Sequence, residues 1–447
     1  MIPLFLTCKY LIPYTYIYKK AVLIKKYLFK IKQMPNHDVS FTNEEKRVVI
    51  YSGSDKSTVP SKVTPDTPLE ELNLNWREKD LPERERTKHV HRLHPYLGKF
   101  IPQLVEIFLR KYFHPGQTVC DPFSGSGTTL VQANELGINS VGSDISAFNV
   151  ILTRAKITHY NLNIVNREIL DILAKTAQAT QPDANSDQPS LFLLEERKPK
   201  YATSNEEYLK QWFAPQALQE LLVYRDQIHN YEYQDILRVI LSRSARSARL
   251  TTHFDLDFPK APQTEPYWCY KHSRTCIPIT QAYPFLRRYS FDTIQRIEEF
   301  SALRTDATAL VHHEDSRVAY IPPVDGVITS PPYVGLINYH EQHRYAYSLL
   351  GIEDKSEEEI GPAYRGTNQK AQDEYQIAIA DVFRRVSHVM PAGGYLIVVA
   401  SDKYGLYDKI SQLCGVEVEA IINRHVNRRT GRRSNEFYES VFIWRKP

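Results

Sequence analysis

Two short stretches of this 447-residue chain carry side chains suited to chemistry. The first is Asp121-Pro122-Phe123-Ser124-Gly125-Ser126-Gly127-Thr128-Thr129. The chain has only 17 glycines, yet Gly116, Gly125, Gly127, Gly137 and Gly142 lie close together around this stretch. A glycine-rich loop between a strand and a helix lets backbone approach a ligand at a helix N-terminus. The third glycine of a dinucleotide fingerprint is missing, and no Gly-Lys-Ser/Thr follows, so neither a dinucleotide nor a nucleoside triphosphate fits. Asp121 would repel a pyrophosphate but suits an ammonium group. A second acid, Asp144, ends the next strand, where a ribose diol is held in such folds. A ligand with an amino-acid end and a nucleoside end matches S-adenosylmethionine. A plain strand–turn–helix joint would not need the loop and both acids in register.

The second stretch is Thr329-Ser330-Pro331-Pro332-Tyr333, which follows the short apolar run Val327-Ile328. Two prolines fix the backbone and remove two N–H groups, so carbonyl oxygens are left to accept. Ser330 adds a hydroxyl acceptor and Tyr333 a flat ring. The set suits a planar heterocycle with an exocyclic amine. One amine N–H would go to Ser330 and one to the Pro331 carbonyl, with the ring stacked on Tyr333. Held this way, the nitrogen lone pair is drawn out of the ring and can attack a methyl group. A lone proline-rich turn is the plain alternative; the cofactor-type loop upstream argues against it.

These loops need a scaffold. The pattern predicts a helix over 102–113, a strand over 118–120, a helix over 128–136, a strand over 140–142 and a helix over 146–157. This is the βαβα start of a doubly wound sheet. Strands are expected again over 310–313, 325–329 and 395–400. An antiparallel pair over 416–422 and 440–444 closes the chain. Between the halves, 165–309 reads as a mainly helical insertion. Residues 35–90 read as a polar, partly irregular lead-in. The fold class expected is α/β, a Rossmann-like doubly wound sheet with a helical insertion, its halves spanning 91–164 and 310–447.

With those residues in place, the chain resembles the AdoMet-dependent amino-methyltransferases of DNA, which modify adenine N6 or cytosine N4. The matching pieces are the 121–129 loop, Asp144, the 329–333 stretch and His94-Pro95-Tyr96-Leu97-Gly98-Lys99-Phe100-Ile101-Pro102. The resemblance covers about 94–160 and 310–445. It implies that Tyr96, Lys99, Phe100, Asp121, Pro122, Phe123, Ser124, Gly125, Gly127, Thr128, Asp144 and Ile145 hold S-adenosylmethionine. Asp315 is its candidate for the adenine. Ser330, Pro331, Pro332 and Tyr333 are the implied catalytic set. Serine at the first catalytic position is typical of cytosine-N4 enzymes; Asp or Asn is typical of adenine-N6 enzymes. The cofactor loop precedes the catalytic loop, the reverse of many cytosine-N4 members.

Composition sets the remaining bounds. Hydrophobic residues are 42% and charged residues 24%, ordinary for a globular chain. The formal charge of +4 rests on residues 1–34, which hold seven lysines and no acid. This basic extension reads as a start codon placed too early, with Met34 following it, or else as an amphipathic helix touching a membrane or nucleic acid. A DNA-binding surface must therefore be a local patch. Two candidates stand out: Arg243, Arg246 and Arg249, spaced as a helical stripe, and a loop with Arg424, Arg428, Arg429, Arg432 and Arg433. Five cysteines, an odd number, fit a reducing, cytoplasmic setting. None follows a proline, which excludes a carbon-5 methylation nucleophile. Cys269-x-x-His272-x-x-x-Cys276 hints at zinc but supplies three ligands, so no metal is expected. No apolar run is long enough for a membrane span.

The expected activity is therefore site-specific methylation of double-stranded DNA at cytosine N4, in a restriction–modification setting with a cognate endonuclease as partner. The alternatives are adenine-N6 or RNA methylation on the same scaffold, and a non-catalytic AdoMet- or DNA-binding module.

Overall fold

The computed structural model describes residues 39–41, 48–51, 56–98, 100–180, 203–253, 259–426 and 437–447. The basic extension 1–34 and Arg428, Arg429, Arg432 and Arg433 lie outside the described residues, as does Lys99.

The centre is a nine-stranded sheet. Its strands are β1 (Val39–Phe41), β2 (Val48–Tyr51), β3 (Thr118–Asp121), β4 (Asn139–Asp144), β7 (Ala309–His313), β8 (Gly326–Thr329), β9 (Tyr395–Ala400), β10 (Glu417–His425) and β11 (Tyr438–Arg445). Two further strands, β5 (Tyr267–Cys269) and β6 (Arg274–Cys276), form a separate hairpin. The sheet order is β1-β2-β10-β11-β9-β8-β3-β4-β7. Strands β9, β8, β3, β4 and β7 run parallel, and β11 is antiparallel to β9.

The chain passes from β3 outward to β4 and β7, then returns to lay β8 on the other side of β3. Order reverses between β3 and β8, and a crevice opens at the carboxyl ends there. Both sequence motifs leave the sheet at that point. Cys120 pairs with Val141 on one side and Val327 on the other, so the two loops emerge level.

The inner strands β8 and β9 are buried on both faces, which is why they read as apolar runs, while β7 lies at the edge with Leu310 exposed. On one face the helix Pro102–Tyr112 lays Leu104, Ile107 and Phe108 against Ile328, Ile397 and Val399. On the other, Gln369–His388 packs Ile379, Phe383 and Val386 against Val327, Leu396 and Trp444. Gly326 is fixed by this packing: a Cβ there would lie 2.6 Å from both Phe113 Cε1 and the Tyr395 carbonyl.

The lead-in departs from expectation. Strand β2 adds to β10 in parallel, and Leu72 and Leu74 are fully buried in the sheet's core. Strands of three or four residues at a sheet edge leave little periodicity to read. The insertion is helical, as its pattern suggests, over Leu162–Thr180, Thr203–Trp212, Pro215–Gln227, Gln234–Ala248 and Tyr283–Ser301. The second and third of these are separate because Pro215 starts a new helix at its first turn. Buried carboxylates cap the joints: Glu220 accepts the N–H groups of Ala282 and Tyr283 at 2.6 and 2.7 Å, and Glu168 those of Glu232 and Tyr233. No helix among the described residues is long and apolar enough to cross a membrane.

Candidate active site

Strand β3 ends at Asp121 and the chain turns through 122–127 into the helix Thr128–Glu135. Gly127 sits at the helix N-cap with φ 75°. A Cβ there would meet Thr153 Cγ2 at 2.7 Å, so both backbone angle and space demand glycine. The loop is tied down on its far side. The Gly125 N–H donates to Asp144 Oδ2 at 2.8 Å, and the Gly125 carbonyl accepts from Thr153 Oγ1 at 3.1 Å. The Ser316 hydroxyl donates to the Pro122 carbonyl.

Above this loop lies a cleft of about 780 Å³, its open mouth included. Tyr96, Phe100, Phe123, Ser124, Gly125, Thr128, Asp144, Ile145 and Asp315 of the expected cofactor set line it. Ser330 and Pro332 of the expected catalytic set line the same cleft. Asp121, Pro122, Gly127, Pro331 and Tyr333 stand behind that lining rather than in it.

Asp144 accepts three N–H groups: Gly125 on Oδ2, and on Oδ1 Ser146 at 2.9 Å and the Asn149 amide at 3.1 Å. Burial still pushes its carboxyl up to about 6. Asp121 is fully buried. Its Oδ1 accepts from Thr329 Oγ1 at 2.6 Å and from the Phe123 N–H at 3.2 Å. Its Oδ2 is buried without a hydrogen-bond partner, and burial pushes this carboxyl also up to about 6. Thr329 directly precedes Ser330, so one hydrogen bond joins the two loops.

The aromatic wall comes from elsewhere. Tyr96 stacks on Tyr339 and on His343, with ring centroids 5.9 and 5.6 Å away, and its hydroxyl accepts from Asn149 at 3.1 Å. Burial holds His343 down to about 3, so the stack behind the cleft is uncharged. Glu359 also lines the cleft; it accepts the His340 backbone N–H at 3.2 Å and pairs with that ring's Nδ1. Asp315 is held by a two-point ion pair from Arg317.

The 330–333 loop is braced by residues that no sequence pattern links to it. The Tyr333 hydroxyl donates to Glu439 Oε1 at 3.0 Å, and Arg424 donates to Glu439 Oε2 through Nε and Nη2 at 3.0 and 2.7 Å. Tyr375 donates to the Pro332 carbonyl at 2.8 Å. Glu439 lies 106 residues from Tyr333 and Tyr375 43 from Pro332, so no local spacing signals them.

Two expectations are corrected here. Arg424 is buried, 5% exposed, against Glu439, and does not belong to an exposed basic loop. The Arg243/Arg246/Arg249 stripe is not an open phosphate-binding face. Arg243 is buried, ion-paired to Asp292 at 2.6 Å and stacked 4.2 Å over Tyr289. Arg249 is buried over Tyr345 at 4.4 Å, and Arg246 is half-buried. Their helix is enclosed by its neighbours, and its arginines pin those neighbours together.

The fold and cleft define a class: a Rossmann-like methyltransferase, with a carboxylate and a tight loop at the reversal point of a parallel sheet. The cleft suits S-adenosylmethionine. Asp144 lines it with carboxylate oxygens, and the Asp121 carboxyl, one oxygen of it without a hydrogen-bond partner, is buried behind the loop. A Cβ at Gly125 would lie 3.2 Å from the Tyr96 hydroxyl, so the cleft floor there is bare backbone. Residues 11–153 match the family model described as a DNA methylase of the N6/N4 type. The chain is 38% identical over 430 residues to the Type II methyltransferase M.MjaII of Methanocaldococcus jannaschii, covering 81% of each chain. It is 23% identical over 304 residues to the Type II methyltransferase M.BsoBI of Geobacillus stearothermophilus, covering 63% of this chain and 56% of that one. The Type II methyltransferase M.MvaI of Kocuria varians is 35% identical over 86 residues, 19% of either chain. The protein belongs to the N4/N6 amino-methyltransferase family of DNA methylases and takes its methyl group from S-adenosylmethionine.

Proposed function

We propose that the protein methylates the exocyclic N4 of a cytosine flipped out of double-stranded DNA, at a defined sequence. The observation that supports this reading most is Ser330. A serine, not a carboxylate or carboxamide, follows β8 and lines the same cleft as Asp144 and Gly125. Ser330 Oγ would accept one N–H of the target amine and the Pro331 carbonyl the other. The Pro332 carbonyl is already taken by Tyr375, which leaves Pro331 as the backbone acceptor. Drawing both protons aside localises the nitrogen lone pair. The bound cofactor supplies a methyl group on a sulfonium, a good leaving group. The contribution of the chain is therefore positioning and polarisation of the amine, without a covalent enzyme–base adduct.

Tyr333 is our candidate for stacking on the flipped base, held from behind by Glu439. Arg428, Arg429, Arg432 and Arg433 are our candidates for binding phosphate. The setting proposed is restriction–modification, in line with the Type II relatives, with a partner endonuclease whose cleavage this methylation blocks.

The test is chemical. The full chain is incubated with S-adenosylmethionine and DNA, and the digested nucleosides are separated by mass. N4-methyldeoxycytidine is expected, and single-molecule sequencing of the product would give its sequence context. N6-methyldeoxyadenosine in its place would transfer the reading to adenine, and methylation of RNA alone would remove DNA as the substrate.

A further inference from the structure

The helical insertion holds a cluster of ligating groups that methyl transfer does not use. Cys269 and Cys276 are the last residues of β5 and β6, and His272 lies in the turn between them. The structure adds a fourth residue that the spacing did not show. His253, just past the helix Gln234–Ala248, comes to the same point, and one ligating atom from each of the four lies within 4.8 Å of all the others. We propose that His253, Cys269, His272 and Cys276 form a tetrahedral zinc site that fixes this hairpin to the insertion. The expectation of no metal is revised accordingly.

The spacing of the atoms supports zinc. Zn–S bonds of about 2.3 Å and Zn–N bonds of about 2.0–2.1 Å at tetrahedral angles put neighbouring S and N atoms about 3.6 Å apart. Cys269 Sγ lies 3.6 Å from His272 Nδ1, which lies 3.5 Å from Cys276 Sγ. Cys269 Sγ is 3.8 Å from His253 Nδ1. The His272 N–H donates to the Cys269 carbonyl at 3.1 Å, and Ser273 takes φ 50°, which folds the turn back over the thiols. The Tyr267 hydroxyl accepts the His253 backbone N–H at 3.1 Å, which holds the incoming residue in place. The same hydroxyl lies 2.7 Å from His253 Nδ1, a contact that would pass to the metal on binding.

The hairpin also lacks another source of stability. Each strand has three residues, and a two-stranded hairpin alone is marginal in water. Two of its aromatic residues point away from any core: Trp268 is 55% and Tyr270 83% exposed. Of the strand residues, only the two cysteines are buried, with Tyr267 half-buried beside them. Metal binding would supply the missing stabilisation, as it does in small metal-ordered modules. A second cluster, His89, His91 and Glu135, makes a useful contrast. There Lys88 already pairs with Glu135 at 2.7 Å, so a cation is in place.

The full chain, purified under reducing conditions without a metal-binding tag, is expected to carry one zinc per chain by elemental mass spectrometry. Cobalt(II) loaded in its place should give the visible absorption of a tetrahedral, thiolate-bound ion. His272→Ala, at an exposed position where folding is not at risk, should lower zinc affinity more than about 100-fold, beyond the loss typical of an outer-shell partner. Cys269→Ser should do the same, and Cys414→Ser should change nothing. Failure of the reduced wild-type chain to take up zinc would overturn the proposal. So would an intramolecular disulfide that persists with no metal, or unchanged zinc affinity in His272→Ala.

Discussion

The two loops at the carboxyl ends of β3 and β8 and the helix Gln234–Ala248 look alike in one respect: each concentrates polar and charged residues in a short span. In the loops, Ser124, Gly125 and Ser330 border open space, as does Asp144 at the end of β4. On the helix, Arg243 and Arg249 are turned into protein, against Asp292, Tyr289 and Tyr345. The difference lies in how the backbone arrives. Strand order reverses between the parallel strands β3 and β8, which leaves a crevice there, so side chains at those strand ends border open space. A helix packed among helices carries no such obligation, and its arginines go where neighbours can pair them. Topology, more than composition, decides which polar residues are available.

That contrast can be tested first at its strongest point. Ser330→Ala should lower the methylation rate by about 10²–10³, the usual loss for one preorganised polar group aimed at a reacting atom, with S-adenosylmethionine affinity unchanged by calorimetry. An unaltered rate would take Ser330 out of the chemistry.

Arg243→Ala should behave in the opposite way. It leaves Asp292 in a partly buried site and is expected to cost about 2–3 kcal/mol in denaturant unfolding. The dependence of DNA affinity on salt should not move. Replacing Arg428, Arg429, Arg432 and Arg433 together should instead flatten the slope of log K against log salt by about 0.9 for each phosphate no longer neutralised. A flatter slope for Arg243→Ala would restore the helix as a DNA surface.

Asp144→Ala should weaken S-adenosylmethionine binding by about 10–100-fold, because charge-assisted hydrogen bonds to the ligand disappear; calorimetry reads the change. Equal affinity would mean that the cofactor lies elsewhere in the cleft.

The smallest effect concerns Asp121 and pH. Its folded-state carboxyl sits at about 6, above the ordinary 3.8. The folded protein therefore holds a proton that the unfolded chain has released. The stability this brings is full below about pH 4 and is lost as pH rises through 6, after which the buried charge is a net cost. Asp121→Asn should thus raise the melting temperature by a few degrees at pH 7.5 while weakening cofactor binding, which calls on the ionised form. In the wild type, affinity should fall as pH drops below about 6. If Asp121→Asn binds as tightly as wild type, the orphaned oxygen is not the ammonium partner.

The sequence was legible where chemistry and topology coincide. Asp121 and Asp144 end adjacent parallel strands, so their places beside the glycine loop follow from strand order and loop composition together. The strand 395–400 and the closing antiparallel pair were equally plain, because long apolar runs near turn residues leave few options. What stayed hidden depends on distant pairing. Glu439 and Arg424 meet Tyr333 only because β10 and β11 fold back beside β9. His253 reaches the two cysteines across a bend that no motif spacing records. Strands β1 and β2 are too short for alternation to show. Leu72, Leu74 and Trp76 are buried and alternate with asparagines, but the run is five residues long and sits in a polar segment.

The hydrogen bond from Thr329 to Asp121 has a thermodynamic consequence. Asp121 stands behind the loop proposed to hold the methyl donor, and Thr329 ends the strand that leads into Ser330, proposed to hold the methyl acceptor. A donor molecule that draws on Asp121 changes what Thr329 can share, and an acceptor that shifts the 330–333 loop changes what Asp121 can offer. The two ligands are therefore expected to feel one another as a coupling free energy, equal in both directions. Donor bound first would alter the affinity for the flipped base by the same factor by which the base alters that for the donor. Thr329→Val, which removes the shared proton and keeps the shape, should bring that factor toward one.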